Sequence, residues 1–176
     1  MNFLIDRVIS PVGTLLLVSD GEALRALDFD DYEPRMQRLL ERRYGRAVTL
    51  TPARDPGGAA TLIRAYLEGD LQAVERIPVR TDGTAFQERV WAALRAIPAG
   101  ETTTYGTLAA RLGQPTATRA VGLANGANPV AIVVPCHRVI GANRTLTGYG
   151  GGLERKRWLL DHERAALGPE GTGLLC

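Results

Sequence analysis

The residue types with the clearest chemical potential stand together in the run Pro135-Cys136-His137-Arg138-Val139-Ile140. A thiolate attacks electrophiles, and a neighbouring imidazole can take the proton of the thiol. The run follows an apolar stretch from Val130 to Val134, whose β-branched residues predict a buried strand that would hold the cysteine rigidly. The alternative is a free cysteine that packs as a small apolar side chain beside a solvent-facing histidine.

The few cysteines and histidines restrict the chemistry further. Cys136 and Cys176 are the only cysteines, and Cys176 is the last residue and is predicted to fray. Two such cysteines build no disulfide framework, which suits a reducing, cytoplasmic location. His137 and His162 are the only histidines, so a zinc site before residue 136 is not expected, and we predict neither a metal nor a cofactor. No apolar stretch is long enough to cross a membrane.

Negative charge is missing from one long segment around Cys136. No Asp or Glu occurs between Glu101 and Glu154. A surface that faces a polyanion requires this, because each carboxylate would repel phosphate. A neutral packing region rich in Gly and Ala is the alternative. The basic residues that remain there are Arg111, Arg119, Arg138 and Arg144.

Hydrophobic patterns divide the chain near residue 82. Residues 1–82 predict a small α/β domain, in which we find no cluster of residues able to do chemistry. Its predicted strands are Asn2 to Ile9, Gly13 to Val18 and Ala23 to Phe29. Its predicted helices are Tyr32 to Arg43, with Met36, Leu39 and Leu40 at core spacing, and Ala60 to Leu67.

Residues 83–176 predict a helical domain. Thr84 and Gln87 match a capping box that opens a helix through Leu94. Thr103 or Thr104 can cap the next helix, which runs through Leu112. After the turn Gly113-Gln114-Pro115, Thr116 opens another helix towards Gly126. Two helices joined by a tight turn predict a helix-turn-helix, although such hairpins also serve as plain scaffolding.

The second helix of this pair has an unusual surface. Its one long charged side chain is Arg119, among the small residues Ala117, Ala120, Gly122, Ala124 and Gly126. Helices that read the major groove carry several long polar side chains. Small residues instead permit close approach to the walls of the minor groove, where Arg119 could replace an extruded nucleotide in the base stack. The alternative for Arg119 is a solvated surface charge.

Taken together, these motifs resemble the O6-alkylguanine-DNA alkyltransferases, and the bacterial constitutive type most closely. The resemblance is dense over residues 84–164 and looser elsewhere. It rests on Tyr105, Arg119-Ala120-Val121-Gly122, Asn128-Pro129, the run from Ile132 to Ile140, Gly148-Tyr149-Gly150-Gly151-Gly152, Trp158-Leu159-Leu160 and His162-Glu163. Pro-Cys-His-Arg-Val together with the upstream motifs is highly specific.

The resemblance implies an α+β fold. A ribonuclease H-like N-terminal domain would precede a winged helix-turn-helix domain that carries the reactive cysteine. The implied activity is direct-reversal DNA repair: after nucleotide flipping, Cys136 irreversibly accepts the alkyl group of O6-alkylguanine, and of O4-alkylthymine. Each molecule would react once. The implied partner is double-stranded DNA bound from the minor-groove side by a monomer, with no membrane and with cooperative binding left open.

The resemblance also implies residue roles. Cys136 would be the acceptor, His137 would deprotonate it through a water, and Glu163 would orient His137, which is triad logic applied to cysteine. Asn128 would brace the turn that carries the cysteine, and Tyr105 would donate a proton or hydrogen bond to the leaving guanine. Residues expected at the DNA are Arg119, Ala120, Gly122 and Tyr105. Residues expected around the base are Tyr149, Gly150, Val139 and Ala131.

Two pocket positions depart from many members of this family. Gly150 stands where many carry a Ser that bonds guanine O6, and Ala131 stands where some carry Pro. Both changes remove bulk and predict a roomier pocket.

Three other functions compete with this interpretation. A binding-only relative would lack the acceptor, whereas Cys136 is present. A Cys-His hydrolase or peptidase would leave the helix pair unexplained, and a transcription factor would leave His137 and Glu163 idle.

Overall fold

A computed structural model describes residues 1–171 of the chain. Cys176, predicted to fray, lies outside the described residues. The first part of the chain forms a four-stranded sheet with strand order β3-β2-β1-β4, in which only the β1–β4 pair is parallel. Its elements are β1 (Asn2–Ser10), β2 (Gly13–Ser19), β3 (Leu24–Phe29), α1 (Glu33–Tyr44), β4 (Thr49–Pro52) and α2 (Ala59–Leu67).

Strand β2 is buried on both faces, and the two faces belong to different cores. Leu16 and Val18 pack with Met36 and Leu40 of α1. Leu15 and Leu17, whose side chains alternate to the opposite face, belong to the larger core, which also holds Ile63 and Tyr66 of α2 and continues into the C-terminal helices. The predicted core positions Met36 and Leu40 are confirmed, whereas Leu39 is only half-buried. Side chains of the N-terminal sheet and of the C-terminal helices therefore share one core.

The later elements are mostly helical. The capping box is confirmed, since the Thr84 side chain accepts from Gln87 N and Gln87 reaches back. The helix-turn-helix is formed by α4 and α5, with Thr104 capping α4. Thr116 does not cap α5. The helix starts at Thr118, and its N-cap residue is Ala117, whose side chain makes no capping hydrogen bond. The elements are α3 (Ala85–Arg95), β5 (Thr103–Thr104), α4 (Tyr105–Arg111), α5 (Thr118–Gly126), β6 (Val139–Ile140) and α6 (Leu153–Gly171).

The strand predicted from Val130 to Val134 is wrong, although its burial is confirmed. Only Val130 makes a bridge, to Leu27 of β3. The chain then turns tightly: Val134 N donates to Val130 O at 3.0 Å, and Ile132 adopts a φ of 72°. A β-branched residue in the left-handed region is strained, so surrounding contacts must impose this turn. Among the described residues no helix has the length and apolar character to span a bilayer.

Candidate active site

Cys136 begins a single 3-10 turn, Cys136–Arg138, at the end of this tightly turned segment. Its side chain is a free thiol and the residue is 7% exposed. The Asn128 side chain fixes the turn from both sides, because Nδ2 donates to Val134 O at 2.8 Å and Oδ1 accepts from Val130 N at 3.0 Å. Backbone geometry, rather than a strand, therefore sets the direction of the thiol.

His137 and Glu163 form a fully buried pair, with 2.7 Å between His137 Nε2 and Glu163 Oε1. An ionised carboxylate can only accept, so Nε2 carries the hydrogen and Nδ1 of a neutral ring keeps a lone pair. Nδ1 is buried and has no hydrogen-bond partner among the described residues. The pair therefore presents an oriented imidazole with one basic nitrogen free. The alternative of a solvent-facing His137 is therefore wrong, and Glu163 is fully buried beside it.

Three further donors surround the Glu163 carboxylate, and sequence reasoning missed them. Tyr66 of α2 donates its hydroxyl at 2.8 Å, and Gly100 N donates at 3.3 Å. Arg138 donates Nε at 3.0 Å and Nη2 at 2.8 Å. Arg138 is thus buried in an ion pair and is not one of the exposed arginines of the segment that lacks carboxylates.

Burial and charge set the protonation states of the three central groups. Burial alone would raise the pKa of Glu163, but the hydrogen bonds from His137 and Arg138 and the positive charge of Arg138 outweigh it and lower that pKa. Burial lowers the pKa of His137 despite the opposing effect of Glu163, which favours the neutral, basic ring. Burial also raises the pKa of the Cys136 thiol, against the smaller effects of Asn128 and Lys156. The resting site is therefore a neutral thiol close in sequence to a neutral base, rather than a standing thiolate.

Lys156, the only lysine of the chain, is buried on α6. Its ammonium donates to three carbonyl oxygens: Val139 at 2.6 Å, Thr147 at 2.8 Å and Gly148 at 3.2 Å. Burial lowers its pKa to about 8. Lys156 thus ties the loop before Tyr149 to the strand after Cys136, and its charge favours a thiolate at Cys136.

A cavity of about 180 Å³ opens at the thiol. It brings together most of the side chains predicted to contact the base or assist the reaction. It is lined by Arg35, Tyr105, Gly122, Asn125, Gly126, Asn128, Ala131, Cys136, Gly148, Tyr149 and Gly150. Val139 is not among them: it is buried in β6, and its carbonyl accepts from Lys156.

Two polar atoms at this cavity lack partners. The Asn125 Oδ1 atom and the Tyr149 hydroxyl are buried without a hydrogen bond among the described residues. Tyr105 is half-buried, and burial raises its pKa, so its hydroxyl remains a donor. Buried polar groups are normally satisfied, and a cluster of unsatisfied ones beside a nucleophile indicates a ligand site.

Arg35 is a cavity residue that sequence reasoning missed. It lies on α1, in the part of the chain where we expected no chemistry. A Cβ atom at Gly150 would overlap its Nη1 atom. The room predicted beside Gly150 is therefore partly filled by a guanidinium, and a wider pocket at Ala131 stays a prediction.

Helix α5 presents one face to the cavity and another to solvent. Gly122, which carries no side chain, approaches Tyr105 at the cavity: a Cβ there would lie 3.9 Å from the Tyr105 ring. Arg119 and Ala120 are exposed and do not line the cavity. Of the residues predicted at the DNA, Gly122 and Tyr105 therefore line the cavity, whereas Arg119 and Ala120 do not.

Two family profiles match almost the whole chain. The 6-O-methylguanine DNA methyltransferase, ribonuclease-like domain, matches residues 8–81, and the 6-O-methylguanine DNA methyltransferase, DNA binding domain, matches residues 85–165. The methylated-DNA–protein-cysteine methyltransferase of Salmonella typhimurium is 48% identical over 165 residues, which cover 93% of this chain and 96% of the relative. That of Mycobacterium tuberculosis is 49% identical over 160 residues, with 89% of each chain covered.

Solved structures agree with these sequence matches. The O6-methylguanine methyltransferase of Mycobacterium tuberculosis superimposes with a TM-score of 0.74 at 42% identity, covering 94% of this chain and 93% of the other. OGT from the same organism in complex with DNA gives 0.73 at 41% identity, covering 94% of each chain. The fold, the buried cysteine and these relatives agree: the chain belongs to the 6-O-methylguanine DNA methyltransferase family.

Proposed function

We propose that this chain repairs DNA by moving the alkyl group of O6-alkylguanine irreversibly onto Cys136. The observation that carries the proposal is a buried thiol that opens on a cavity and is followed directly by an oriented His137–Glu163 pair. The relatives are named as methylated-DNA–protein-cysteine methyltransferases, which supports the same reaction. O4-alkylthymine presents an equivalent alkyl carbon, and we include it in the proposed substrate class.

The proposed reaction begins with a proton transfer. His137 Nδ1 takes the Cys136 proton through a water molecule, and Glu163 stabilises the imidazolium that forms. The thiolate sulfur then bonds the alkyl carbon as the carbon–oxygen bond breaks, and the electron pair stays on the purine. Tyr105 donates to the purine as it leaves. The thioether has no hydrolytic route back, so each molecule is consumed after one transfer.

We propose double-stranded DNA as the partner, approached through the minor groove by a monomer. Helix α5 supplies the contact surface: Ala120 and Gly122 allow close approach, and the exposed Arg119 fills the stack left by the flipped nucleotide. The DNA complex of the M. tuberculosis relative supports DNA as the substrate. Residues 1–82 and 83–176 would form the two domains, and a cytoplasmic location would keep the thiol reduced.

Mass spectrometry tests the transfer directly. After incubation with a duplex oligonucleotide that contains O6-methylguanine, we expect one added methyl group per protein molecule, on the peptide that holds Cys136. Multiple turnover, or label on Cys176 alone, would refute the proposal.

The role of Arg119 needs its own experiment. Arg119→Ala should slow transfer from duplex DNA more than transfer from the free modified base, because only the duplex requires extrusion. Arg111→Ala is the matched control, since Arg111 is also an exposed arginine of the helix pair. Equal slowing of Arg119→Ala on both substrates would contradict the assigned role.

A further inference from the structure

Arg35 is held rigidly at the rim of the Cys136 cavity by a buried carboxylate. Asp28, which is 2% exposed, accepts Arg35 Nε at 3.0 Å and Arg35 Nη2 at 2.7 Å. This two-point contact fixes the plane of the guanidinium. The guanidinium also lies over the Tyr32 ring, 5.3 Å from its centre. The Arg35 side chain is therefore held in one orientation before any ligand binds.

One nitrogen of this guanidinium is left for a ligand. None of the hydrogen bonds in the described part of the chain uses Arg35 Nη1; the pair with Asp28 uses Nε and Nη2. Nη1 occupies the space in which a side chain at residue 150 would begin. Arg35, Gly150 and Cys136 line the same cavity. The absence of a side chain at Gly150 thus leaves the space that the unpaired Nη1 atom of Arg35 occupies.

We propose that Arg35 Nη1 donates a hydrogen bond to the O6 atom of the alkylated guanine and stabilises the departing purine. This assignment rests on the proposed function. As the sulfur–carbon bond forms and the carbon–oxygen bond breaks, the electron pair of the broken bond stays on O6 and the ring, which is protonated afterwards. Negative charge develops on that oxygen in the transition state, so a preorganised cationic donor interacts with it more strongly there than in the ground state. Arg35 would therefore be a catalytic residue supplied by the N-terminal part of the chain.

Two variants separate this role from a structural one. Arg35→Lys keeps a positive charge next to Asp28, but one ammonium cannot also supply the second donor of the guanidinium fork in the cavity. Arg35→Gln removes the charge as well. Arg25→Gln is the control, because Arg25 is likewise paired with Asp20 and Asp82 in the same part of the chain and does not line the cavity.

The acceptor atom itself is then changed. Single-turnover transfer is measured on one duplex that carries either O6-methylguanine or S6-methyl-6-thioguanine, whose sulfur accepts hydrogen bonds weakly. We expect both Arg35 variants to slow the oxygen substrate roughly 100- to 1000-fold, in line with the loss of one oxyanion donor. The sulfur substrate should slow less than about 3-fold, and the Arg25 control should alter neither rate by more than that.

Equal slowing of both substrates would overturn the assignment and make Arg35 a structural residue. Free O6-methylguanine base supplies a second criterion, because slowing on duplex DNA alone would instead indicate a contact with the DNA backbone. The proposed function is tested separately by the wild-type protein in the same assay: methylation of its Cys136 supports that function whichever result the Arg35 variants give.

Discussion

The two sides of His137 differ in how completely their polar groups are satisfied. On the Glu163 side the carboxylate accepts hydrogen bonds from His137, Tyr66, Arg138 and Gly100 N. Away from Glu163, His137 Nδ1 is buried without a described partner, and at the cavity so are Asn125 Oδ1 and the Tyr149 hydroxyl. A saturated network stabilises the fold, whereas unsatisfied buried groups cost stability until a ligand fills them. The comparison assigns stability to one side of the imidazole and reactivity to the other.

Loss of the thiol should be the largest functional effect, and it should cost little stability. Cys136→Ala is expected to abolish alkyl transfer while retaining binding to DNA, because the sulfur is the acceptor and α5 is untouched. The free energy of unfolding should fall by only about 1 kcal/mol, the cost of a small buried truncation. Transfer to protein from radiolabelled DNA and a gel-shift titration measure the two properties. Residual labelling would remove Cys136 from its assigned role.

Loss of the Glu163 charge should, in contrast to loss of the thiol, have a large effect on stability. Glu163→Gln leaves the Arg138 guanidinium buried without its anion, so we expect the free energy of unfolding to fall by about 3 kcal/mol. Transfer should also slow, since the imidazolium loses its stabilising charge. Urea unfolding measures the first effect. Glu154→Gln, an exposed position on the same helix, should stay within about 0.5 kcal/mol of the wild type. A Glu163 variant as stable as that control would break the comparison.

Sequence reasoning could identify the cavity side better than the carboxylate side. Cys136 and His137 are adjacent, and their chemistry is readable from residue type and spacing, whereas the roles expected for Asn128 and Tyr105 came from the family resemblance. The capping box at Thr84 is equally local, because its bonds connect residues three apart. Contacts of this kind can be predicted from a single sequence because residues close in the chain are also close in space.

The partners that were missed are distant in the chain. Tyr66 and Glu163 are 97 residues apart, and their contact exists only because the two parts of the chain share a core. Arg35 reaches the cavity from a helix whose pattern indicated packing alone. Lys156 left one faint signal, as the single lysine in an arginine-rich chain. The strand predicted before Cys136 failed because the turn braced by Asn128 overrode β propensity.

The protonation of His137 gives a smaller effect with a definite sign. Its folded-state pKa lies below the ordinary value of 6.5, so the unfolded chain binds a proton that the folded chain does not. Stability should therefore be full above pH 6.5 and fall as the pH drops towards the folded-state pKa, by at most about 1.4 kcal/mol per pH unit. His137→Gln should lose stability less steeply between about pH 6.5 and pH 5. Parallel curves from urea unfolding would mean that His137 is not held neutral by burial.

Two tyrosine hydroxyls provide the finest test, because the same substitution should have opposite signs on the two sides. Tyr66→Phe removes the hydrogen bond to Glu163 and should cost about 1.5 kcal/mol of unfolding free energy. Tyr149→Phe removes a buried hydroxyl that has no described partner and should raise stability by up to about 1 kcal/mol. Both rings remain in place, so packing changes little and the two variants control for each other. If both variants were destabilised alike in urea unfolding, the Tyr149 hydroxyl would have to be satisfied in solution, and the cavity side would not carry the unsatisfied polarity that makes it a ligand site.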